Sequence, residues 1–405
     1  MKTRPFSRIA AAHVVAVLVA VFGVAASALP TGSPVDAAAP SPAAPTPSGL
    51  VPLGRANPGD GSAVVYIANT GFPGLTNGMK YNSSGGNIDT GRIDDTHYWI
   101  SFANLGGGTY VNAQITNWDS ENSPAIAPVC TIDKAKDNGT DVTLWFQCTP
   151  FPGHSLIGTS LFISVTNAPH PDRAGATGPG LVALTSTDPG AAVHTPLNQY
   201  RSSGAGQASV TRTGVGQYTV TVPNATYPKG GGAAVATALT VSPAVDPAYT
   251  RYCNVQSWAP SAGSMVVRVQ CYHGGGVLSD GRFSLRLSLR SHTGGAQPGG
   301  AQWVGTPASA GYDTSAYGWN SSGAANHVAG LAPGSSRVDF PGAIHDPARV
   351  WTLAMTPYGG NHRCSVEGVG AQPGTGALFT MARCYTPLGG APVANGRYTI
   401  SVAEY

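Results

Sequence analysis

Six cysteines fall into three pairs of nearly equal spacing, and this limits the folds open to the chain more than any other feature. Cys130 and Cys148 stand 18 positions apart, Cys253 and Cys271 18, and Cys364 and Cys384 20. Each pair brackets a turn signal: Asn138-Gly139-Thr140, Pro260-Ser261-Ala262-Gly263 and Gln372-Pro373-Gly374. Such clusters between extended runs predict β-hairpins. The two cysteines of a pair then face one another across antiparallel strands, within reach of a disulfide. Because each pair is centred on a residue, the simplest register gives a turn of odd length.

The N-terminus speaks to compartment. Lys2, Arg4 and Arg8 precede an apolar run from Val14 to Val24 that ends in Ala26-Ser27-Ala28. A basic start, a short apolar run and small residues predict a secretory signal peptide over 1–28, cleaved after Ala28. No later stretch is apolar for long enough to predict a membrane helix. Residues 29–58 are dominated by Ala, Pro, Ser and Thr and are expected to form a linker, with too few large apolar side chains to offset ordering. The expected location is secreted and extracellular, an oxidising setting that suits an even set of cysteines.

Charge says little about partners. Three of the 22 Lys and Arg lie in the signal peptide, which leaves 19 basic residues against 19 acidic ones. Nucleic-acid binders draw much of their affinity from a basic excess, so none is expected here. With 54 Gly and 33 Pro, turns must be frequent and long helices rare.

Two further anchors recur with the cysteines. Tyr81-Asn82-Ser83-Ser84-Gly85, Tyr200-Arg201-Ser202-Ser203-Gly204 and Trp319-Asn320-Ser321-Ser322-Gly323 share an aromatic-x-Ser-Ser-Gly pattern at steps of 119 residues. A strand-like run follows each second cysteine by 12 to 14 positions, opening at Leu161, Phe283 and Tyr398. Three anchors in one order, three times, predict a tandem triplication with units over 59–168, 176–292 and 299–405. Six or seven short strands per unit suggest an all-β chain of three tandem β-sandwiches or small barrels. Val142, Leu144 and Phe146 share a face with Cys148, and Met265, Val267 and Val269 share one with Cys271, which places the disulfides on the core side.

The second unit carries a longer pattern: Gly216-Gln217-Tyr218-Thr219-Val220, Val222-Pro223, Cys253-Asn254-Val255-Gln256-Ser257-Trp258, Val267-Arg268-Val269-Gln270-Cys271-Tyr272 and Asp280-Gly281-Arg282-Phe283. This resembles repeats of secreted, largely uncharacterised proteins of high-GC Gram-positive bacteria. The first and third units depart from it, with Cys130-Thr131-Ile132 and Cys364-Ser365-Val366 lacking the Ser-Trp. The resemblance implies a secreted β-repeat protein and no assigned chemistry.

Motifs for chemistry are weak. Asp89-Thr90-Gly91 matches the aspartic-protease triplet, but the Gly is missing from Asp313-Thr314-Ser315, so no second copy exists and a solvated turn is the simpler reading. Gly153-His154-Ser155-Leu156-Ile157 has isoleucine where a nucleophile elbow needs glycine. No two histidines lie at helical i, i+4 spacing and no Cys-x-x-Cys occurs, so zinc has no local signature. The nearest to a cluster is His345 and Asp346 meeting His362 at one end of the third unit. Asp133, Asp137 and Asp141 are spaced by four, unlike an EF-hand ladder. No catalytic residue, metal or cofactor is expected.

Aromatic residues are the binding candidates, since exposed platforms hold sugars in many secreted β modules. Trp99, Trp145, Trp303 and Trp351 sit in strand-like runs and read as core, which leaves Trp118, Trp258 and Trp319, in turn-like contexts, as possible ligand contacts. The sequence therefore favours a non-catalytic structural or surface-interaction protein. The alternatives are a module array that binds carbohydrate or cell-wall polysaccharide, and a hydrolase of unrecognised type.

Overall fold

The computed structural model describes residues 61–404 apart from the connecting segments 69–75, 109, 120–127, 150–158, 169–180, 202–205, 225–231, 240–250, 290–298, 306–317, 347–349 and 388–390. The expected signal peptide and linker, 1–28 and 29–58, and the elbow-like serine segment at 153–158 lie outside the described residues.

Among the described residues every regular element is a strand, most of them alternating apolar and polar side chains. The first third of the chain contributes β1 (Gly61–Ala68), β2 (Thr76–Asn82), β3 (Ile88–Arg92), β4 (His97–Phe102), β5 (Tyr110–Asp119), β6 (Val129–Asp137), β7 (Val142–Thr149) and β8 (Thr159–Ala168). The second contributes β9 (Leu181–Ser186), β10 (Val193–His194), β11 (Leu197–Arg201), β12 (Ser209–Gly214), β13 (Gln217–Pro223), β14 (Gly232–Leu239), β15 (Arg251–Ser261), β16 (Ser264–His273) and β17 (Arg282–Leu289). The third contributes β18 (Gly299–Val304), β19 (Trp319–Asn320), β20 (His327–Ala332), β21 (Ser335–Ile344), β22 (Trp351–Pro357), β23 (Arg363–Ala371), β24 (Ala377–Tyr385) and β25 (Tyr398–Glu404).

Each third builds one sandwich with the same strand order. The inner sheets run β2-β1-β8-β5, β11-β9-β17-β14 and β19-β18-β25-β22. The outer strands run β3-β4-β7-β6, β12-β13-β16-β15 with β10 added beside β12, and β20-β21-β24-β23, and β5 continues into β23 and β14 into β6, which makes two eight-stranded sheets. Between them lie apolar layers, such as Val65, Ile163, Leu144 and Phe146 in the first unit, so the choice between sandwich and closed barrel falls to the sandwich.

The sandwiches are not strung out like beads. The edge strand of each inner sheet runs parallel to the cysteine hairpin of a neighbouring unit, at Trp118 beside Val366, Leu239 beside Ile132 and Tyr358 beside Val255. The first unit thus joins the third, the second joins the first, and the third joins the second, which closes a ring. Leu239 packs on the first unit's core, Tyr358 on the second's and Trp118 on the third's. Residues Gly49–Tyr405 form one compact unit.

The cysteine hairpins are bridged Cys130–Cys148, Cys253–Cys271 and Cys364–Cys384, with each pair directly opposed in the strand register. The expected odd turns are corrected. The last cross-strand pairs are Asp137 with Val142, Ser261 with Ser264 and Ala371 with Leu378, so an even number of residues lies between them, because the first strand of every hairpin carries one extra residue in a bulge: Asp133, Gln256 and Glu367. At the shortest loop both central residues are left-handed, Ala262 at φ +45° and Gly263 at φ +80°, as a tight hairpin of matching twist requires.

Two sequence motifs prove to be structural clasps. In the aromatic-Ser-Ser-Gly segments, Asn82 Oδ1 accepts from Ser84 N at 3.1 Å and Asn320 Oδ1 from Ser322 N at 3.0 Å. Asp280, of the Asp-Gly-Arg-Phe motif, accepts from Arg212 Nη2 at 2.8 Å, Gly216 N at 2.7 Å and Tyr218 Oη at 3.2 Å. Burial opposes its ionisation, but these donors outweigh that and hold its pKa below the usual carboxylate value.

Candidate functional site

The ring closes on an axis where β5, β14 and β22 meet. β5 and β14 pair with the next unit's hairpin at one residue pair each and β22 ends its sheet, so backbone N–H groups beyond those pairs need acceptors, and a threonine at the same place in each strand supplies one. Ile115 N donates to Thr237 Oγ1 at 3.3 Å, Ala236 N to Thr356 Oγ1 at 3.3 Å, and Met355 N to Thr116 Oγ1 at 3.0 Å. In every case the donor is the residue just before that strand's own threonine, so the three bonds run head to tail around a pseudo-threefold axis. No signal in the cysteine spacing points to these threonines.

Polar side chains extend the seam. Thr237 Oγ1 donates to Gln114 Oε1 at 2.7 Å, and Gln114 and Asn112 both reach Ser284 Oγ, at 3.1 and 2.8 Å. Arg286 Nη1 donates to Ser164 Oγ at 2.9 Å. All these residues are buried.

A pocket of about 70 Å³ sits at one end of the seam, lined by all three units, including the three threonines and Cys130, Cys253 and Cys364. Its symmetry is broken by the residue before each of those cysteines: Val129, Tyr252 and Arg363. Arg363 is 7% exposed, and its guanidinium carbon lies 6.0 Å from the Tyr252 ring centroid. Burial lowers its pKa to about 10, against an opposing pull from Tyr252 and Tyr385. Burial likewise raises the Tyr252 phenol well above its usual value, while its hydroxyl donates to Asn361 O at 2.6 Å. Arg363 Nη2 and Asn117 Nδ2 both donate to Pro128 O, each at 2.8 Å. The described lining residues include no carboxylate, histidine or free thiol.

The tryptophans fall differently from their sequence reading. Trp118, Trp258 and Trp319 lie on β5, β15 and β19 rather than in turns, half-buried, and each packs against an interior cluster. Trp118 meets the Tyr66 and Phe162 rings at 5.4 and 5.1 Å, and Trp258 meets Tyr358 edge-on at 5.2 Å. Trp303 joins Tyr358 at 5.5 Å, while the Trp351 side chain lies outside the described residues. The core reading of Trp99 and Trp145 is corrected. Their neighbours Tyr98, Ile100, Leu144 and Phe146 fill the core, so alternation turns both indoles to the outward face, where they oppose one another across β4 and β7. Lys134 Nζ lies 5.1 Å from the Trp145 centroid, and Gly91 leaves room for Trp99, since a Cβ there would come 2.3 Å from its Nε1.

The remaining candidates disperse. Asp89-Thr90-Gly91 lies on the edge strand β3 rather than in a turn. His345 and Asp346 both bond Glu404, a fully buried carboxylate, at the end of β24 where the hairpin turns. His362 lies at the opposite end of that hairpin, so the two histidines do not meet. It stands beside Cys364 and Cys384, whose bridged sulfurs are not thiolate ligands, and its Nε2 donates to Arg397 O at 2.6 Å. Asp137 accepts from Gly107 N, Gly139 N and Asn167, and Asp141 accepts from Asn104 N, so these carboxylates close loops.

No protein-family model, no curated protein and no solved structure matches the chain. Three disulfides are compatible with an extracellular protein, and among the described residues no helix is long and apolar enough to cross a membrane.

Proposed function

We propose that the chain is a secreted, tandemly triplicated protein with a non-catalytic structural or surface-interaction role. The closed threonine seam carries this reading, because it joins three sandwiches into one body that presents three related outer sheets around an axis. Such an object offers multivalency, in which a second contact follows the first at high effective concentration.

A second reading is favoured by Trp99 and Trp145. Adjacent indoles on an outward face, beside a lysine, suit the apolar face and hydroxyls of a sugar chain in cell-wall or extracellular polysaccharide. The test is retention of the purified chain on insoluble polysaccharides and peptidoglycan, beside Trp99→Ala/Trp145→Ala and Trp118→Ala/Trp258→Ala/Trp319→Ala variants. Retention lost in the double variant alone places sugar binding on the first unit's outer face. No retention of the wild type leaves a structural or protein-binding role, and release of soluble sugar from any of these polymers would sink the non-catalytic reading.

A further inference from the structure

We infer that the sugar chain held by the first unit's outer face is a polyuronate, with carboxylates on its rings, and that Lys134 and Lys136 recognise those carboxylates. The inference rests on the sugar-binding reading of Trp99 and Trp145 and narrows it to one class of polymer. The triplication supplies an internal control. In each unit one row of outward-facing residues crosses the outer strands through the position three before the second cysteine, and in the first unit it reads Gly91, Trp99, Trp145 and Lys134. The same row reads Thr211, Thr219, Arg268 and Ser257 in the second unit, and Ala329, Arg337, Met381 and Gly368 in the third. Two sandwiches form without indoles or a lysine at these places, so the fold does not account for them.

The neighbouring row adds the charge. It reads Asp89, Ser101, Thr143 and Lys136 in the first unit, where the second has Ala259 and the third Gly370 in place of the lysine. Lys134 and Lys136 therefore stand side by side along β6, both exposed, and neither is in an ion pair among the described residues. Asp89, the one carboxylate of the two rows, lies on β3 at the far edge, roughly 14 Å away at ordinary strand spacing. The Trp145 side of the platform is thus cationic and calls for an anionic partner. Lys134 Nζ is 5.1 Å from the Trp145 centroid, so the matching charge must sit on the stacked ring or the next one. A uronate carries it there. The Ser101 and Thr143 hydroxyls, 3.4 Å apart between the charged edges, are placed for ring hydroxyls. A row four strands wide is longer than one sugar ring, which suits a chain rather than a free sugar.

The test is electrophoresis of the full mature chain through gels that contain polygalacturonate, its methyl ester, alginate, dextran or polyphosphate. The expected result is retardation by polygalacturonate or alginate, stronger than by the methyl ester or dextran, and none by polyphosphate, which has charge but no sugar ring. Lys134→Gln/Lys136→Gln, which keeps most of each side-chain stem, should weaken uronate binding roughly threefold to tenfold and leave any binding of the methyl ester unchanged. Raising salt from about 0.05 to about 0.5 M should reduce the uronate preference in the wild type. Trp99→Ala/Trp145→Ala should abolish retardation, and the lysine pair, being exposed, carries the test should the tryptophan pair fail to fold. Equal retardation by polygalacturonate and its methyl ester, lost with the two indoles, overturns the acidic class and leaves sugar binding standing. A uronate preference that survives in the lysine variant, or equal retardation by polyphosphate, also overturns the inference. No retardation by any polymer overturns both it and the sugar-binding reading.

Discussion

In the second sandwich Phe283, Leu285 and Leu287 pack between the sheets with Val220 and Val267, while Ser284 and Arg286, on the other face of the same strand, enter the seam. The core is held by a non-directional force in proportion to the apolar area removed from water. The seam is held by hydrogen bonds that work in one register only. Such a division teaches where stability and geometry come from: the cores would tolerate sliding of one unit against another, whereas the threonine bonds allow one closed arrangement. It also explains why the candidate site is on the axis, since only there do polar groups from three units converge out of water.

Removing a core side chain should have the largest effect. Phe283→Ala, at a fully buried position, is expected to cost about 4 kcal/mol in chemical denaturation and to leave the seam's exchange pattern unchanged up to the point of global unfolding. Thr237→Val should cost less, about 2 kcal/mol, because it strands Ile115 N–H and Gln114 Oε1 while keeping the volume. Its signature is local: faster hydrogen exchange at Ile115, a residue of another unit. An effect confined to the second unit would break the distinction between core and seam.

The smallest effect is expected from acid. Burial depresses the pKa of His362 despite its bond to the Arg397 carbonyl, so the stability of its neutral form is present above the unfolded value near 6.5 and is lost as pH falls below it. Asp280 is also depressed, so its contribution is present above about 3.9 and is lost as pH falls toward its lower folded value. The Arg212–Asp280 pair is partly exposed, at 28% and 32%, so solvent screening keeps its contribution small. Denaturation midpoints measured against pH should therefore fall in two steps, the lower of which vanishes in Asp280→Asn.

Much of each sandwich was legible in the chain because its signals are local. Cysteine spacing, alternation and turn residues act within a hairpin, and they placed Cys253 opposite Cys271 and Met265, Val267 and Val269 on the core face. The bulges at Asp133, Gln256 and Glu367 escaped, since an extra residue in one strand changes the turn by one without disturbing either cysteine. The orientation of Trp99 and Trp145 escaped for a different reason: a strand shows that its side chains alternate, but an indole suits either face.

The sequence by itself determined the all-β class, the cysteine pairs and which side of each hairpin is apolar, because these depend on contacts between residues near one another along the chain. The tertiary structure decided the rest. The distances from Thr116, Thr237 and Thr356 to the next cysteine are 14, 16 and 8 residues, so no fixed period marks them as equivalent. Their equivalence arises only when three edge strands meet and each backbone N–H finds a hydroxyl in the next unit. The same meeting brings Thr116, Asn117 and Arg363 together across more than 240 residues of chain. Their grouping depends on how the ring closes, which no local pattern encodes.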